Sequence, residues 1–140
     1  MRTVIVPLIL INLQDDGFHL LVEIVVFGEK LMAVVDTGAS RTVFDKTFVK
    51  KHLPVDDSDE TIATTLFSTT STLQAIVPEI KLGRLRLKNY NTVAIDLDGV
   101  NQTYESLGHP RITCILGSDL LLQYEAIINF KKMRLYLYSS

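Results

Sequence analysis

The chain has 140 residues, 47% of them hydrophobic and 21% charged, and carries a net charge of -2 at pH 7. One domain with one core, residues 1–140, accounts for this length. Because there is no basic excess, we expect no nucleic-acid partner. No apolar run approaches the roughly 18 residues of a membrane span, so we expect no membrane partner.

The first predicted elements are β-strands. The run Val4 to Leu13 is apolar for its first eight residues, contains Pro7 and lacks a small-residue cleavage site, so it predicts a strand and not a signal sequence. Asp15-Asp16-Gly17 predicts a turn into a second strand, Phe18 to Phe27. Gly28-Glu29-Lys30 predicts the turn into a third strand.

The third strand carries the most informative motif of the chain. It runs from Leu31 to Val35 and ends at Asp36-Thr37-Gly38-Ala39. The apolar, β-branched run predicts a buried strand, which would hold the Asp36 carboxylate rigidly from one side. Gly38 has no Cβ, so a substrate or another backbone can approach the carboxylate closely. An ordinary strand-to-turn aspartate is the alternative, because Asp and Gly both favour turns.

A short amphipathic helix is predicted after this motif. Phe44, Phe48 and Val49 recur at helical spacing among charged residues, and Pro54 would end the helix. The acidic segment Val55 to Glu60 is expected to be a solvated loop.

Two threonine-rich runs, Thr61 to Leu66 and Leu73 to Leu82, predict a β-hairpin with a polar tip. Gly83 then predicts a turn into a strand that ends near Ile95. The stretch from Asp96 to Arg111 is rich in turn formers, and we expect a loop that either edges a substrate groove or crosses the surface.

A second strand-to-glycine segment lies near the C-terminus. The apolar run Ile112 to Leu116 ends at Gly117, which repeats the design of the first motif. Ser118 or Asp119 is expected to cap a short helix that extends to about Tyr124.

These features together resemble the retropepsin-like aspartic proteases. The shared features are the hydrophobic-Asp-Thr-Gly-Ala-Ser motif at Asp36, the hydrophobic-hydrophobic-Gly at Gly117 followed by Ser-Asp-Leu-Leu, and a closing strand pair at 127–130 and 135–138. The resemblance covers about Leu20 to Leu137. It implies an all-β fold, a retropepsin-like acid-protease β-barrel domain with one or two short helices, and an aspartic endopeptidase that needs no cofactor.

The resemblance also assigns roles within the first motif. Asp36 would be the catalytic acid, and Thr37 would hydrogen-bond across a dimer axis to fix two carboxylates in plane. Gly38 and Ala39 would leave room for the substrate backbone, and Ser40 would hydrogen-bond near the loop.

Two later positions are expected to support this loop. Gly117 would pack behind it, and Asp119 would cap and brace the following helix. By resemblance the predicted hairpin lies where the family has its flap, which closes over a bound peptide. The residues expected to form the flap and contact substrate are Leu66, Phe67, Ser68 and Thr69. Many flaps carry glycines at the tip, but this chain has none between Glu60 and Leu82.

The chemistry of such a site requires two carboxylates that share one proton, one acting as base on a water and the other polarising the scissile carbonyl. Only one Asp-Thr-Gly is present, so the second Asp36 is expected from a symmetric homodimer. Asp96, Asp98 and Asp119 are rejected as second acids because none lies in another Asp-Thr-Gly. The terminal segments, 3–10 and 134–138, are candidates for the dimer interface.

Other chemistries lack the necessary residues. His19, His52 and His109 are far apart in sequence without ligand spacing, so no metal site is expected. The single Cys114 lies in an apolar strand, which predicts a buried, inert thiol and fits a cytoplasmic protein.

Two competing hypotheses remain. The fold could serve as a peptide-binding or dimerisation module with weak or no proteolysis, since a fold does not guarantee a function. The chain could also be a monomeric β-domain with unrelated chemistry, in which case both motifs would be coincidental.

Overall fold

The computed structural model describes residues 2–53, 60–64 and 69–139, with the backbone alone described for 60–64 and 69–71. The strands are β1 (Arg2–Pro7), β2 (Ile9–Asn12), β3 (Phe18–Val26), β4 (Glu29–Val35), β5 (Val43–Asp45), β6 (Glu60–Thr64), β7 (Thr69–Leu82), β8 (Leu85–Ile95), β9 (Cys114–Leu116), β10 (Ile127–Asn129) and β11 (Arg134–Ser139). The α-helices are α1 (Lys46–His52), α2 (Asp98–Ser106) and α3 (Ser118–Gln123), and a 3-10 turn spans Gln14–Asp16. The mostly β fold confirms the predicted class.

The larger sheet has eight strands in the order β2-β3-β4-β9-β5-β8-β7-β6. Strand β3 also pairs with β7, through Val25 with Lys81 and Val26 with Ile80, so the sheet curls back on itself. Most neighbours are antiparallel, but β4 and β9 run parallel, as do β5 and β8. The parallel pair β4 and β9 brings the two strand-to-glycine segments side by side.

The smaller sheet contains both ends of the described chain. Its order is β1-β11-β10, with all pairs antiparallel. The predicted single strand from Val4 to Leu13 is in fact two strands in different sheets. The break is at Leu8, whose backbone N–H donates to the carbonyl of Met133 at 2.9 Å and turns the chain towards the larger sheet.

Strand β11 occupies the centre of the smaller sheet. It pairs with β1 along its whole length on one side and with β10 on the other, where the Tyr138 N–H also donates to the Tyr124 carbonyl at 2.7 Å. The segment 134–138 was expected as a candidate for the dimer interface. Because both of its edges are used within the chain, it has no free edge to pair with a partner strand.

The buried side chains form two clusters. The main core lies between the two sheets and includes Val22, Ile24, Phe44 and Leu135. The second cluster joins β2, β3 and β4 to the segment around α2. Its members are Ile11, Leu13, Leu21, Val34, Leu97, Tyr104 and Ile112. Because Val34 lies two residues before Asp36, this second cluster supports the strand that carries the candidate catalytic acid.

The largest difference from expectation is α2, which lies in the stretch from Asp96 to Arg111 predicted to be a loop. The fully buried residues of the helix are Asn101 and Tyr104. Its apolar face consists of Leu97, Val100, Tyr104 and Leu107, which recur at helical spacing and pack in the second cluster. Asn101 is a structural clamp: its Nδ2 donates to the Ile112 carbonyl at 3.0 Å and its Oδ1 accepts from the Ile112 N–H at 2.7 Å. These bonds fix the helix beside β9.

Other boundaries differ by a few residues. Helix α1 begins at Lys46 and not at Phe44, which is part of β5. The predicted hairpin is confirmed in its backbone, since β6 pairs antiparallel with β7 from Glu60–Leu73 to Thr64–Thr69. Pro54, residues 55–59 of the predicted acidic loop and residues 65–68 lie outside the described residues. Glu60, expected at the end of that loop, is the first residue of β6, and Thr69 to Thr72, expected in the hairpin tip, belong to β7. Within the described part of the chain, no helix is long and apolar enough to cross a membrane.

Candidate active site

The first motif lies at the end of two parallel strands. In the pairing of β4 with β9, Val35 is opposite Leu116. The Asp36 N–H continues this ladder by donating to the Leu116 carbonyl at 3.0 Å. One step further, the Ser118 N–H donates to the Ala39 carbonyl at 2.7 Å. The two glycine-containing loops are therefore joined by backbone hydrogen bonds on both sides.

The Asp36 loop is fixed by its own backbone. The Gly38 N–H donates to Asp36 Oδ1 at 2.9 Å, and the Ala39 N–H donates to the Asp36 carbonyl at 3.2 Å. Asp36, Thr37, Gly38 and Ser40 are exposed in the single chain, and Ala39 is half-buried. A carboxylate that is oriented by a backbone donor and yet open to solvent can contact a second molecule. The cross-axis role of Thr37 and the hydrogen bond expected of Ser40 stay predictions.

Gly117 packs directly behind this loop, as the sequence predicts. A Cβ added there would lie 2.6 Å from the Arg41 carbonyl carbon and 2.8 Å from the Ala39 carbonyl oxygen. Both distances are far shorter than any ordinary van der Waals contact. Only glycine allows the two loops to approach this closely.

Asp119 braces the site but does not cap its helix. The N-cap position of α3 is Gly117, without a side-chain cap, and Asp119 lies in the first turn. Its Oδ1 accepts a hydrogen bond from the Thr42 hydroxyl at 2.8 Å, and its Oδ2 accepts one from the Tyr90 hydroxyl at 3.1 Å. Partial burial alone would raise the pKa of Asp119, but the hydrogen bonds from Thr42, Leu120 and Tyr90 outweigh it and lower that pKa.

Thr42 and Tyr90 were not singled out by the sequence. Thr42 is fully buried, and its hydroxyl accepts from the Gly117 N–H at 3.0 Å while it donates to Asp119. Burial and the neighbouring Asp119 charge raise the pKa of Tyr90, so its hydroxyl keeps its proton as a donor. Thr42 links the two glycine loops through one side chain. Its place in a threonine-rich sequence gives no signal of this role.

A cavity of about 270 Å³ opens beside the exposed carboxylate. Its polar lining consists of His19, Asp36 and Thr37. Its apolar lining is contributed by β3, β4 and the β10 region: Phe18, Leu20, Val34, Val35, Ile128 and Phe130. From the family resemblance, Val34 and Ile115 are candidates for substrate pockets. Val34 lines this cavity and Ile115 does not, and contact of either with a substrate stays a prediction.

His19 and Tyr104 form an unpredicted pair at this cavity. The Nδ1 atom of His19 lies 2.5 Å from the Tyr104 hydroxyl oxygen. Tyr104 is buried on α2, and burial together with the Asp36 charge raises the pKa of Tyr104 to about 12. The unpredicted helix α2 therefore holds His19 at the wall of this cavity through Tyr104. Whether the stretch from Asp96 to Arg111 edges a substrate groove stays a prediction.

Of the residues expected in the flap, Leu66, Phe67 and Ser68 lie outside the described residues. Thr69 is the first residue of β7 and pairs with Thr64 at the end of β6. The backbone hairpin is present, and its contacts with a substrate stay predictions.

The carboxylates rejected as second catalytic acids lie elsewhere. Asp96 and Asp98 lie with Asp45 in a group whose oxygens are within 4.8 Å of one another. Backbone donors already use two of them, because the Leu97 N–H donates to Asp45 at 3.1 Å and the Asp98 N–H donates to Asp96 at 2.8 Å. Arg111 lies 3.8 Å from Asp98. These interactions stabilise the turn that leads into α2.

Two further features lie outside the candidate site. Burial raises the pKa of the Cys114 thiol well above its usual range, which confirms a buried and unreactive cysteine. A larger cavity of about 610 Å³ is lined by Arg2, Arg84 and Arg86 among others and shares no residue with the Asp36 cavity.

Comparison with known proteins gives three findings. A family model described as aspartyl protease matches residues 22–120. A search of curated proteins finds no match. Among solved structures, the chain is similar to a retropepsin-like aspartic protease from Rickettsia conorii, with 21% identity, 98% of this chain and 99% of that chain covered, and a TM-score of 0.59. It is also similar to the retroviral protease-like domain of Ddi1 from Leishmania major, with 16% identity, 79% and 81% covered, and a TM-score of 0.57.

At these identities the structural likeness establishes the fold alone, while the family model spans most of the chain, including Asp36 and Gly117. The geometry agrees with both, since the carboxylate of an Asp-Thr-Gly loop is held beside a parallel strand that ends in a second glycine loop. The chain therefore belongs to the aspartyl protease family and has the retropepsin-like fold.

Proposed function

We propose that this protein is a homodimeric aspartic endopeptidase in which the Asp36 carboxylates of two copies activate a water molecule between them. The observation that carries the proposal is the state of Asp36: oriented by the Gly38 N–H, exposed, and the only acid among the described residues that line its cavity. One chain thus supplies half of a two-carboxylate site.

The proposed reaction follows from two carboxylates that share one proton. The ionised carboxylate removes a proton from the water, whose oxygen attacks the carbonyl carbon of the scissile peptide bond. The protonated carboxyl donates a hydrogen bond to the carbonyl oxygen as negative charge develops there. The tetrahedral intermediate then collapses, its C–N bond breaks, and the leaving nitrogen takes up the proton that the first carboxylate had removed from the water, which restores the starting state of the pair. Carboxylates about 3 Å apart cannot both ionise, so activity is expected at acid to mildly acid pH.

Asp119 is unsuited to be the second acid. Both of its oxygens already accept hydrogen bonds, from Thr42 and Tyr90, and these bonds hold it ionised in the framework. A base that must exchange protons with water needs an accessible oxygen. The second carboxylate is therefore assigned to another copy of Asp36, placed by a two-fold axis.

The exposed apolar surface of the single chain supports association. Ile5, Ile9, Leu10, Phe18 and Phe130 are each between 44% and 62% exposed. They lie on the first two strands and around the Asp36 cavity. Burial of such side chains between copies would contribute about 25 cal/mol per Å² of apolar surface. The outer edge of β1, which has no strand partner among the described residues, is the candidate edge for the interface.

The proposed substrate is an extended peptide or protein segment. It would lie between the Asp36 loop and the hairpin of β6 and β7, adding backbone hydrogen bonds as an extra strand. Leu66, Phe67, Ser68 and Thr69 are proposed to contact it from the flap. The apolar lining of the Asp36 cavity would receive one of its side chains.

The test is cleavage of a diverse peptide library between about pH 4 and 7, with mass spectrometry of the products from wild type and Asp36→Asn. At each site that wild type cleaves, the cleavage rate is expected to fall by at least about 10³-fold in the variant. Asp36→Asn should fold and associate normally, because the side chain is exposed and the change removes a repulsion between like charges. Cuts that survive in the variant would contradict the proposal.

A mixing experiment tests the two-copy site directly. After wild type and Asp36→Asn are mixed in equal amounts and allowed to exchange subunits, random pairing leaves about a quarter of the dimers with two intact carboxylates. At the same total chain concentration, the activity of the mixture should be about a quarter of the activity of wild type alone. A fall to only about half would indicate that each chain acts alone.

The competing proposal is a peptide-binding module, favoured by the absence of glycine between Glu60 and Leu82. A stiff hairpin could bind a peptide yet open too slowly for turnover. Peptide binding by a dimer without any cut would support that alternative.

A further inference from the structure

We infer that His19, held in place by Tyr104, is a specificity-determining residue that selects a substrate side chain with a hydrogen-bond acceptor at its end. This inference rests on the proposed function, because it concerns the side chain next to the bond that Asp36 would cleave. The observation behind it is the His19–Tyr104 pair at the wall of the Asp36 cavity.

The cavity has the size for one side chain. Its volume of about 270 Å³ is below the range of roughly 300–1,000 Å³ typical of whole small-molecule sites. Phe18, Leu20, Val34 and Phe130 give it apolar walls. Such walls favour an unbranched, largely apolar stem.

The hydrogen bond to Tyr104 decides what His19 can offer. The Tyr104 side chain is buried, its pKa is raised to about 12, and the hydroxyl therefore keeps its proton at any pH where an aspartic protease works. Within the described residues, His19 Nδ1 is the hydrogen-bond partner of that hydroxyl. A buried hydroxyl proton without an acceptor would cost about 1–3 kcal/mol, so the proton goes to Nδ1.

With Nδ1 as acceptor, the hydrogen of a neutral imidazole is at Nε2. In a protonated imidazole both nitrogens carry a hydrogen, so Nδ1 donates to the Tyr104 hydroxyl oxygen and Nε2 remains a donor. His19 therefore presents an N–H donor in both charge states. Because the side chain is exposed and lines the cavity, this donor is available to a ligand there.

The position of the donor is fixed through α2. Asn101 clamps this helix to Ile112, and Tyr104 also packs edge-on against His109, with ring centroids 6.5 Å apart. The Nε2 atom of His109 in turn lies 2.7 Å from the Asn12 carbonyl oxygen at the end of β2. A donor held this rigidly loses little entropy when it binds an acceptor.

The preferred side chain is glutamine. It matches methionine in length, fits apolar walls along its stem and ends in a carbonyl acceptor for Nε2. Glutamate offers an acceptor too, but its charge would be repelled by Asp36 and attracted by a protonated His19, so the neutral amide of glutamine tests the hydrogen bond alone. In a symmetric dimer two such cavities flank the scissile bond, so the preference is expected at one or both of the adjacent positions.

The test compares matched peptides with Gln or Met next to the cleaved bond. The ratio of their kcat/KM values is measured for wild type, His19→Leu, Tyr104→Phe and His19→Gln. One hydrogen bond is worth about 0.5–1.5 kcal/mol, so the Gln/Met ratio should fall about 2- to 13-fold in His19→Leu. It should fall in Tyr104→Phe as well, and His19→Gln should retain part of it through its amide donor. Because both kcat/KM values scale with the same concentration of folded enzyme, their ratio does not depend on how much of a variant is folded.

Phe18→Leu is the matched control: it alters an apolar wall of the same cavity, so kcat/KM is expected to fall for both peptides together, but it removes no donor, and the Gln/Met ratio should change less than in His19→Leu. If Asp36-dependent cuts occur but His19→Leu keeps the wild-type ratio, this inference is overturned while the protease proposal stands. If no cut depends on Asp36, the affinities of the Gln and Met peptides for Asp36→Asn are measured by calorimetry. Equal affinities would overturn the inference independently of catalysis.

Discussion

The two glycine loops of this molecule share a backbone design but use their aspartates in opposite ways. Both follow parallel strands in register, and hydrogen bonds from Asp36 to Leu116 and from Ser118 to Ala39 join them. Asp36 is exposed beside a cavity. Asp119 is enclosed by the hydroxyls of Thr42 and Tyr90.

The difference shows how one loop is rigidified so that the other can present a reactive group. An exposed carboxylate keeps its geometry only if the backbone beneath it is fixed. Here the backbone of the Asp36 loop packs against Gly117. The Gly117 N–H donates to the Thr42 hydroxyl, which in turn donates to Asp119. The second loop therefore supports the first. Substitutions in it should lower the free energy of unfolding, and they should lower activity only indirectly, by displacing the Asp36 loop.

The strongest test of this division is a pair of glycine substitutions. Gly117→Ala places a Cβ 2.6 Å from the backbone of Arg41, and neither backbone can yield without separating the loops. We expect a loss of about 3 kcal/mol or more in the free energy of unfolding. Urea denaturation followed by circular dichroism measures it.

Gly38→Ala is the matched control in the first loop. Its Cβ would lie 3.3 Å from Asp36 Oδ1, the end of a flexible side chain. Stability should change by less than about 1 kcal/mol, whereas peptide cleavage should suffer because the Asp36 carboxylate must shift. Equal destabilisation by both substitutions would contradict the assigned roles.

Much of this architecture could be predicted from sequence because it has local signals. The apolar runs before Asp36 and Gly117 specified two strands, and each glycine marked a close approach. Their parallel pairing was not predicted, because hydrophobic periodicity does not determine which strands become neighbours. The main features of the fold and the location of the first loop were therefore accessible before any coordinates.

The missed parts have weak or non-local signals. Helix α2 does carry an apolar stripe, formed by Leu97, Val100, Tyr104 and Leu107. The turn formers in the same stretch, among them Gly99, Gly108 and Pro110, favoured a loop instead. Thr42 and His19 gained their roles from partners 77 and 85 residues away along the chain. Such contacts depend on tertiary placement, which propensity and spacing do not encode.

Asp119→Asn tests the bracing of the second loop and has a defined pH dependence. The folded-state pKa of Asp119 is lowered, so its ionised form stabilises the fold above the unfolded pKa of about 3.9 and this contribution is lost as pH falls through the folded pKa. At pH 7 the substitution should cost about 1–3 kcal/mol, because the amide cannot accept from Tyr90.

The stability gap between wild type and Asp119→Asn should narrow steadily below about pH 4. Parallel denaturation series from pH 7 to about pH 2.5 measure this gap, and Asp15→Asn, at an exposed aspartate in the turn Gln14–Asp16, serves as the control in which little narrowing is expected. A gap for Asp119→Asn that stays constant into acid would mean that packing, and not the ionised carboxylate, braces the loop.

The smallest expected effect is that of Tyr90→Phe, which removes one of the two hydroxyls on Asp119 and keeps the ring. The loss should be about 1 kcal/mol, since Asp119 Oδ1 keeps its bond from Thr42. The pKa of Asp119 should rise in this variant, which a carboxyl NMR titration measures. Combined with Asp119→Asn, the substitution should add almost nothing further, because the hydroxyl has already lost its acceptor. Full additivity of the two losses would show that the Tyr90 hydroxyl stabilises the fold independently of Asp119, and the brace would then depend on Thr42.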